Sequence, residues 1–267
     1  MKSNFHTHTT FCDGKSTPEE IVVKAIEEGF DAIGFSGHGY TPFDLRYCMK
    51  DTEAYIAEIE RLKGKYAKDI EILLGVEEDA FHLLERHRFD YVIGSSHYFC
   101  IGNEYFPIDS SHAHFKRCLE LFDHDVISLA EAYYSSFLDY ITKRRPDVIG
   151  HFDLITKFDE LEDALFLNNA EYLRIADRAA EKALESGCLF EVNTGAIARG
   201  LRSSVYPHER LLHILKKGGA GLILSSDSHT KETLDYGFED AKGFLRDMGF
   251  THLYTLTSHG AVKYRIS

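Results

Sequence analysis

Nine histidines and carboxylates fall at the C-terminal ends of short apolar segments, and that placement constrains this chain more than any other feature. The apolar segments span residues 2–5, 32–35, 70–76, 91–94, 148–150, 189–192 and 221–224. His6, His8 and Asp13 follow the first, His38 the second, Glu77 the third, His97 the fourth, His151 the fifth, and Asp227 and His229 the last. Helix-like stretches lie between them. Thr17-Pro18-Glu19-Glu20 offers an N-cap, a proline at the first helical position and a capping-box glutamate, and Ile21, Val22, Ala25 and Ile26 then keep helical spacing up to Gly29. Further helices are predicted over 51–68, over two stretches of 111–144 broken near Asp123-His124-Asp125, and over 168–186, 207–217 and 238–248. Strands that alternate with helices predict a parallel sheet, and closed α/β barrels gather residues from the C-terminal ends of their strands onto one rim. Such a rim is the predicted meeting place of the nine side chains. No low-complexity segment, internal repeat or linker rich in Pro, Gly or Ser interrupts the pattern, so residues 1–267 read as one domain.

Imidazole nitrogens and carboxylate oxygens are ligands for zinc, manganese and iron. Nine are too many for one ion, so the predicted cofactors are two or three divalent transition-metal ions (Zn, Mn or Fe). His6 and His8 stand two apart and share a face in an extended segment; Asp227 and His229 repeat that spacing. Asp13, followed by Gly14, fits a loop carboxylate that returns to the same place. Glu77 ends its apolar run and can bridge two cations, whereas Glu78 and Asp79 read as the solvated, acidic start of a helix. Any one of these histidines alone reads more readily as a structural residue. The case rests on six of them collecting at strand ends while the other nine (82, 87, 112, 114, 124, 208, 213, 252 and 259) fall mainly in helical or loop contexts. Arg199 and Arg202, shortly after the sixth segment, are candidate phosphate clamps, because guanidinium makes paired hydrogen bonds to phosphate oxygens. The competing reading for each is an ordinary surface arginine.

Composition narrows the partners. A net charge of −13 disfavours long nucleic acid, which needs clustered Lys and Arg. It does not disfavour a small phosphate ester, since bound cations reverse the local sign of the field. No run of about 18 apolar residues exists to cross a membrane as a helix. The N-terminus lacks an apolar signal region, so a cytoplasmic protein is expected. Cys12, Cys48, Cys100, Cys118 and Cys188 are scattered and odd in number, which reads as reduced thiols rather than a disulfide framework. Cys12 could ligate a metal, but Asp13 beside it is the better donor for a hard ion. Oligomeric state is left open.

The ordered set from His6-Thr7-His8 through His38, Glu77, His97 and His151 to Asp227-Ser228-His229 resembles the PHP (polymerase and histidinol phosphatase) superfamily. Three segments resemble its histidinol-phosphate phosphatase branch: His6 to Gly14, Ile149-Gly150-His151-Phe152-Asp153-Leu154, and Glu191-Val192-Asn193-Thr194-Gly195 continuing to Arg199-Gly200. The resemblance implies a distorted (β/α)7 barrel with its metal site at the C-terminal ends of the strands. It also implies hydrolysis of L-histidinol phosphate to L-histidinol and phosphate, by attack of a metal-bridging hydroxide on phosphorus. The alternatives are another small phosphate ester, such as a nucleotide, and a noncatalytic metal-binding module. Carried over, His6, His8, Glu77 and Asp227 would hold one ion, Glu77, His97 and His151 a second, and Asp13, His38 and His229 a third. Several members have histidine where this chain has Asp13, a hard oxygen donor that bears on affinity and metal preference at the third site. Asp227 or His229 is the implied proton donor to the leaving group, and Arg199 the better phosphate clamp. Tyr98, Phe99, Glu104 and Tyr105 are candidates to read the imidazole and ammonium of the substrate.

Overall fold

The computed structural model describes residues 1–162 and 164–266. Its elements run β1 (Ser3–Asn4), α1 (Pro18–Glu27), β2 (Ala32–Phe35), α2 (Thr52–Lys65), β3 (Glu71–Asp79), β4 (Tyr91–Ser95), β5 (Tyr98–Ile101), β6 (Glu104–Pro107), α3 (His112–Leu121) and α4 (Val126–Arg144). They continue with β7 (Val148–Ile149), α5 (Ala170–Leu184), β8 (Leu189–Asn193), α6 (Gly195–Ala198), α7 (Glu209–Lys217), β9 (Leu222–Ser225), α8 (Phe238–Asp247), β10 (His252–Thr257) and β11 (Gly260–Arg265). Strands β1, β2, β3, β4, β7, β8 and β9 pair in that order, each parallel to the next. At the C-terminal rim a parallel bridge between Thr7 and Ser228 closes β1 onto β9. The result is the distorted seven-stranded barrel, closed at one end and splayed at the other.

The splay is where the sequence expectation falls short. Seven strands were expected; β10 adds beside β9 through Tyr254 and Ile223, and β11 pairs back on β10 as an antiparallel hairpin. Ser3 Oγ and Thr255 Oγ1, 3.0 Å apart, join β10 to β1 across the gap. Residues 252–265 lack a long apolar run because one face of this flank stays wet, and β11 is exposed along most of its length. The β5–β6 hairpin, too, lies outside the predicted strands. Glu78 and Asp79 require a correction: they are not a solvated helix start but the buried last residues of β3. Arg144 and Tyr140 of α4 neutralise and hydrogen-bond Glu78, and Asp79 bonds His97, so the acidic run is satisfied inside the protein.

Packing follows the alternation of strand residues. Phe5, Ala32, Leu73, Tyr91, Ile93, Val148, Ile223 and Leu256 fill the barrel interior. Tyr91 lies across this interior and donates from its hydroxyl to the Phe5 carbonyl at 2.6 Å. Gly75 is required beneath it, because a β-carbon there would overlap the Tyr91 ring. Outside, α1 and α2 cover β2, β3 and β4 through Ile21, Val22, Tyr55, Ile59 and Leu62. A larger cluster from α3, α4, α5, α7 and α8 covers the other half. The capping box of α1 forms as its sequence predicts, and the break between α3 and α4 falls at Asp123 and His124, both with positive φ. Among the described residues, no helix is long and apolar enough to cross a membrane.

Candidate metal centre

Backbone pairing at the rim brings the two spaced motifs together. His8 N–H donates to the Ser228 carbonyl at 2.8 Å, and Ser228 N–H donates to the His6 carbonyl at 3.1 Å. His6-Thr7-His8 and Asp227-Ser228-His229 therefore lie side by side in register. Asp227 takes a φ of 47°, a left-handed conformation that is uncommon outside glycine but tolerated by aspartate. A second parallel bridge sets His38 beside Glu77. The loop after His8 turns back tightly at Gly14, where a β-carbon would strike the backbone of His8 and Thr9, and this returns Asp13 to the cluster.

The structure brings all nine predicted donors together around Glu77, which is 1 % exposed. Its two oxygens face different groups. Oε2 lies 3.3 Å from His6 Nε2, 3.6 Å from His8 Nε2 and 2.9 Å from His38 Nδ1. Oε1 lies 3.0 Å from His151 Nε2 and 3.3 Å from His97 Nε2. Asp227 Oδ1 sits 3.2 Å from His8 Nε2 and 3.7 Å from His6 Nε2. Asp13 Oδ2 is 3.3 Å from His229 Nε2 and 3.8 Å from His38 Nε2. His6 Nε2, His8 Nε2 and Glu77 Oε2 are buried without a hydrogen-bond partner, although burying an unpaired polar atom is costly. Groups of three or four of these donors converge within 4.8 Å, as ligands around an ion must. The residues fit divalent transition ions in chemistry, burial and spacing.

Charge distribution agrees. Burial opposes the ionised form of Glu77, but His6, His38 and His97 outweigh it and hold the carboxyl well below its usual range. For His6, burial opposes charge while Glu191, Glu77 and Asp227 raise its pKa well above the ordinary imidazole value. His8 is lowered to about 3 by burial and by His229 and His38 beside it. Asp227 is held well below the usual range against burial, chiefly by Arg199 and His6.

Of the two arginines, Arg199 reaches the site and Arg202 does not. Arg199 Nη2 is 2.9 Å from Asp227 Oδ2, and its Nη1 is 3.3 Å from His229 Nδ1. Arg202 is 4 % exposed, donates to Thr156 Oγ1 at 2.5 Å and stacks over Tyr206, away from the cluster. An open cavity of about 380 Å³ leads to the donors, and Asp44, Tyr47, Tyr98, Asp109 and Lys157 also line it. Tyr98 is thus placed as expected, but Glu104 is exposed, Tyr105 stacks on Phe43, and Phe99 joins the core. Sequence reasoning gave no role to Glu191, Asp79, Asp44, Asp109 or Lys157. Glu191 had a signal: a lone carboxylate inside an apolar strand needs a buried partner.

Donor set and rim geometry define a multi-ion metal centre in the mouth of an α/β barrel. The PHP domain family matches residues 4–195. A Schizosaccharomyces pombe protein named "Probable histidinol-phosphatase" is 30% identical, with 95% of this chain and 89% of that protein aligned. Histidinol-phosphatase of Bacillus subtilis is 25% identical over 90% of this chain and 97% of its own. The chain belongs to the PHP domain family. The fold is shared with histidinol phosphate phosphatase of Lactococcus lactis, solved with zinc, L-histidinol and phosphate, at a TM-score of 0.75 and 21% identity over 98% of each chain.

Proposed function

We propose that this chain is a metal-dependent phosphomonoesterase that hydrolyses L-histidinol phosphate to L-histidinol and phosphate, a reaction of histidine biosynthesis. The observation that carries the reading is the split of Glu77, with one oxygen toward His6 and His8 and the other toward His97 and His151. That is the arrangement of a carboxylate bridging two ions, in a chain aligned over at least 90% of its length with named histidinol-phosphatases. His6, His8, Glu77 and Asp227 would hold the first ion, Glu77, His97 and His151 the second, and Asp13, His38 and His229 the third. When bound, such ions lower the pKa of a water toward 7 and neutralise charge on phosphoryl oxygens.

The remaining side chains position and discharge the substrate. Arg199 is fixed by Asp227 with its guanidinium at the cavity wall, where it clamps the phosphate. Asp227 has no proton to give, because Arg199 and His6 keep it ionised. His229 lines the cavity with Nδ1 3.0 Å from the Asp227 carbonyl and Nε2 facing Asp13; as a ligand of the third ion through Nε2 it would have no free proton either, so water in the open cavity is the proton source for the leaving group. Toward the cavity mouth Asp44 is engaged on both oxygens by Arg46 and Tyr98, whereas Asp109 faces the single cation Lys157. Asp109 is therefore the carboxylate suited to the substrate ammonium, with Tyr47 and Tyr98 offering ring surface to its imidazole. All five cysteines are free thiols, which suits the reducing cytoplasm, and the whole of 1–267 acts as one domain. Phosphate release from L-histidinol phosphate, nucleoside monophosphates and a generic aryl phosphate tests the assignment. Histidinol phosphate should give the highest kcat/KM, and equal or faster turnover of nucleotides refutes it.

A further inference from the structure

Glu191 occupies the middle of β8 and points into the barrel, directly beneath the metal centre. It is fully buried. Oε1 lies 2.6 Å from His6 Nδ1. Oε2 accepts from the His151 backbone N–H at 2.8 Å and from Asn193 Nδ2 at 3.0 Å. One carboxylate thus touches the ring of one proposed ligand and the backbone of another, and those ligands belong to different ions in the assignment above. Asp79 makes a narrower version of the same contact. Among the proposed ligands it meets His97 alone, through Nδ1 at 3.2 Å and the backbone N–H at 3.0 Å, while its other oxygen accepts from Phe81 N–H.

We infer that Glu191 is a positioning residue shared by the first two ions, setting the ring of His6 and the strand end that carries His151. The inference rests on the proposed ligand set. A carboxylate at Nδ1 keeps the imidazole proton there, which leaves the Nε2 lone pair of His6 facing Glu77 and Asp227. The second oxygen pins the His151 main chain at the point where β7 ends, so a shift at one donor is felt at the other. Asp79 has no such double reach and acts on the second ion only. Glutamine at 191 cannot replace this function, because its carbonyl can accept from His6 or from the His151 N–H while its amide faces the other donor.

The test is zinc affinity, by competition with a chromogenic chelator, on the intact chain and on Glu191→Gln, Glu191→Asp and Asp79→Asn. Replacing a group that orients a ligand costs about 10–100-fold in metal affinity. In Glu191→Gln both tight dissociation constants should rise by about that factor, whereas Asp79→Asn should raise only one. At saturating zinc KM for histidinol phosphate should stay at its wild-type value, while the zinc concentration for half-maximal activity shifts. Thermal unfolding of the metal-free proteins checks folding. Should Glu191→Gln fail to fold, Glu191→Asp, which keeps the charge but is one methylene short, should weaken both ions in the same way. Unchanged dissociation constants in the folded Glu191 variants, or a change at one ion only, overturn the inference. A wild-type chain that binds no zinc overturns the ligand assignment itself.

Discussion

Strand β3 carries Glu77 to the centre of the site, and its end is moored by one buried ion pair whose removal has a calculable cost. Arg144, in the last turn of α4, places Nε 2.7 Å from Glu78 Oε1 and Nη2 2.7 Å from Oε2. The same guanidinium donates to the Leu84 carbonyl at 2.7 Å. Glu78 has no exposed side-chain surface, and Arg144 is 16% exposed. Tyr140 O–H and Leu84 N–H complete the carboxylate's partners. Arg144→Met fills most of the volume but leaves an uncompensated charge, at a cost of about 3–5 kcal/mol. For a chain of this size that lowers the melting temperature by about 6–20 °C. Differential scanning calorimetry of the metal-free protein is the assay, since bound ions would add their own stabilisation. The double variant Arg144→Met/Glu78→Gln removes the charge, with the glutamine carbonyl accepting from Leu84 N–H and its amide donating to the Tyr140 hydroxyl, so it should recover more than half of the loss. A single variant within about 1 kcal/mol of wild type would refute the argument, because that is the cost expected of an exposed pair.

Three further outcomes are expected. Glu77→Gln should lower zinc affinity by more than the about 10–100-fold of a merely orienting residue, and phosphate release should fall in step; near-normal zinc content with near-normal activity would contradict a bridging role. Asp109→Asn should raise KM for L-histidinol phosphate by about 10–100-fold, the worth of a charge-assisted hydrogen bond, and leave an alkyl phosphate without an amine unchanged. Equal effects on both substrates would remove Asp109 from ammonium recognition. Partial chelation that strips the most exposed ion should raise KM for the phosphate ester more than it lowers kcat, read from initial rates against zinc content; a fall in kcat alone would refute it.

The barrel could be read from the sequence because its strands are buried on both faces and appear as continuous apolar runs. The donors could be read because they punctuate those runs at a fixed place. The β10–β11 flank escaped for the opposite reason: Val262 and its neighbours on β11 face solvent, so its residues carry no run. Glu78 and Asp79 depart from the helix start expected of them because helix-start chemistry and buried pairing call for the same acidic residues, and only distant partners, Arg144 for Glu78 and His97 for Asp79, distinguish the two. Asp109 is invisible to strand-end reasoning. It reaches the site because the β5–β6 hairpin returns to its origin, with Ile108 N–H bonded to the His97 carbonyl.

The expectation for the third ion follows from charge. Asp13, Glu77, Asp79, Glu191 and Asp227 place five of the chain's 43 carboxylates at the site. Two divalent ions and Arg199 offset those five, and Asp109 with Lys157, like Asp44 with Arg46, cancels within its own pair. Two ions therefore leave the cavity about neutral, which offers a phosphate dianion no net attraction. A third ion leaves about two positive charges, matching the dianion, and in a partly desolvated cavity that balance decides binding. Its proposed ligands Asp13 and His229 have side chains 32% and 24% exposed, against 0–9% for Glu77, His6, His8 and Asp227. The ion most open to solvent is thus the one that turns a neutral cavity into an anion site, and its loss should be felt first in KM.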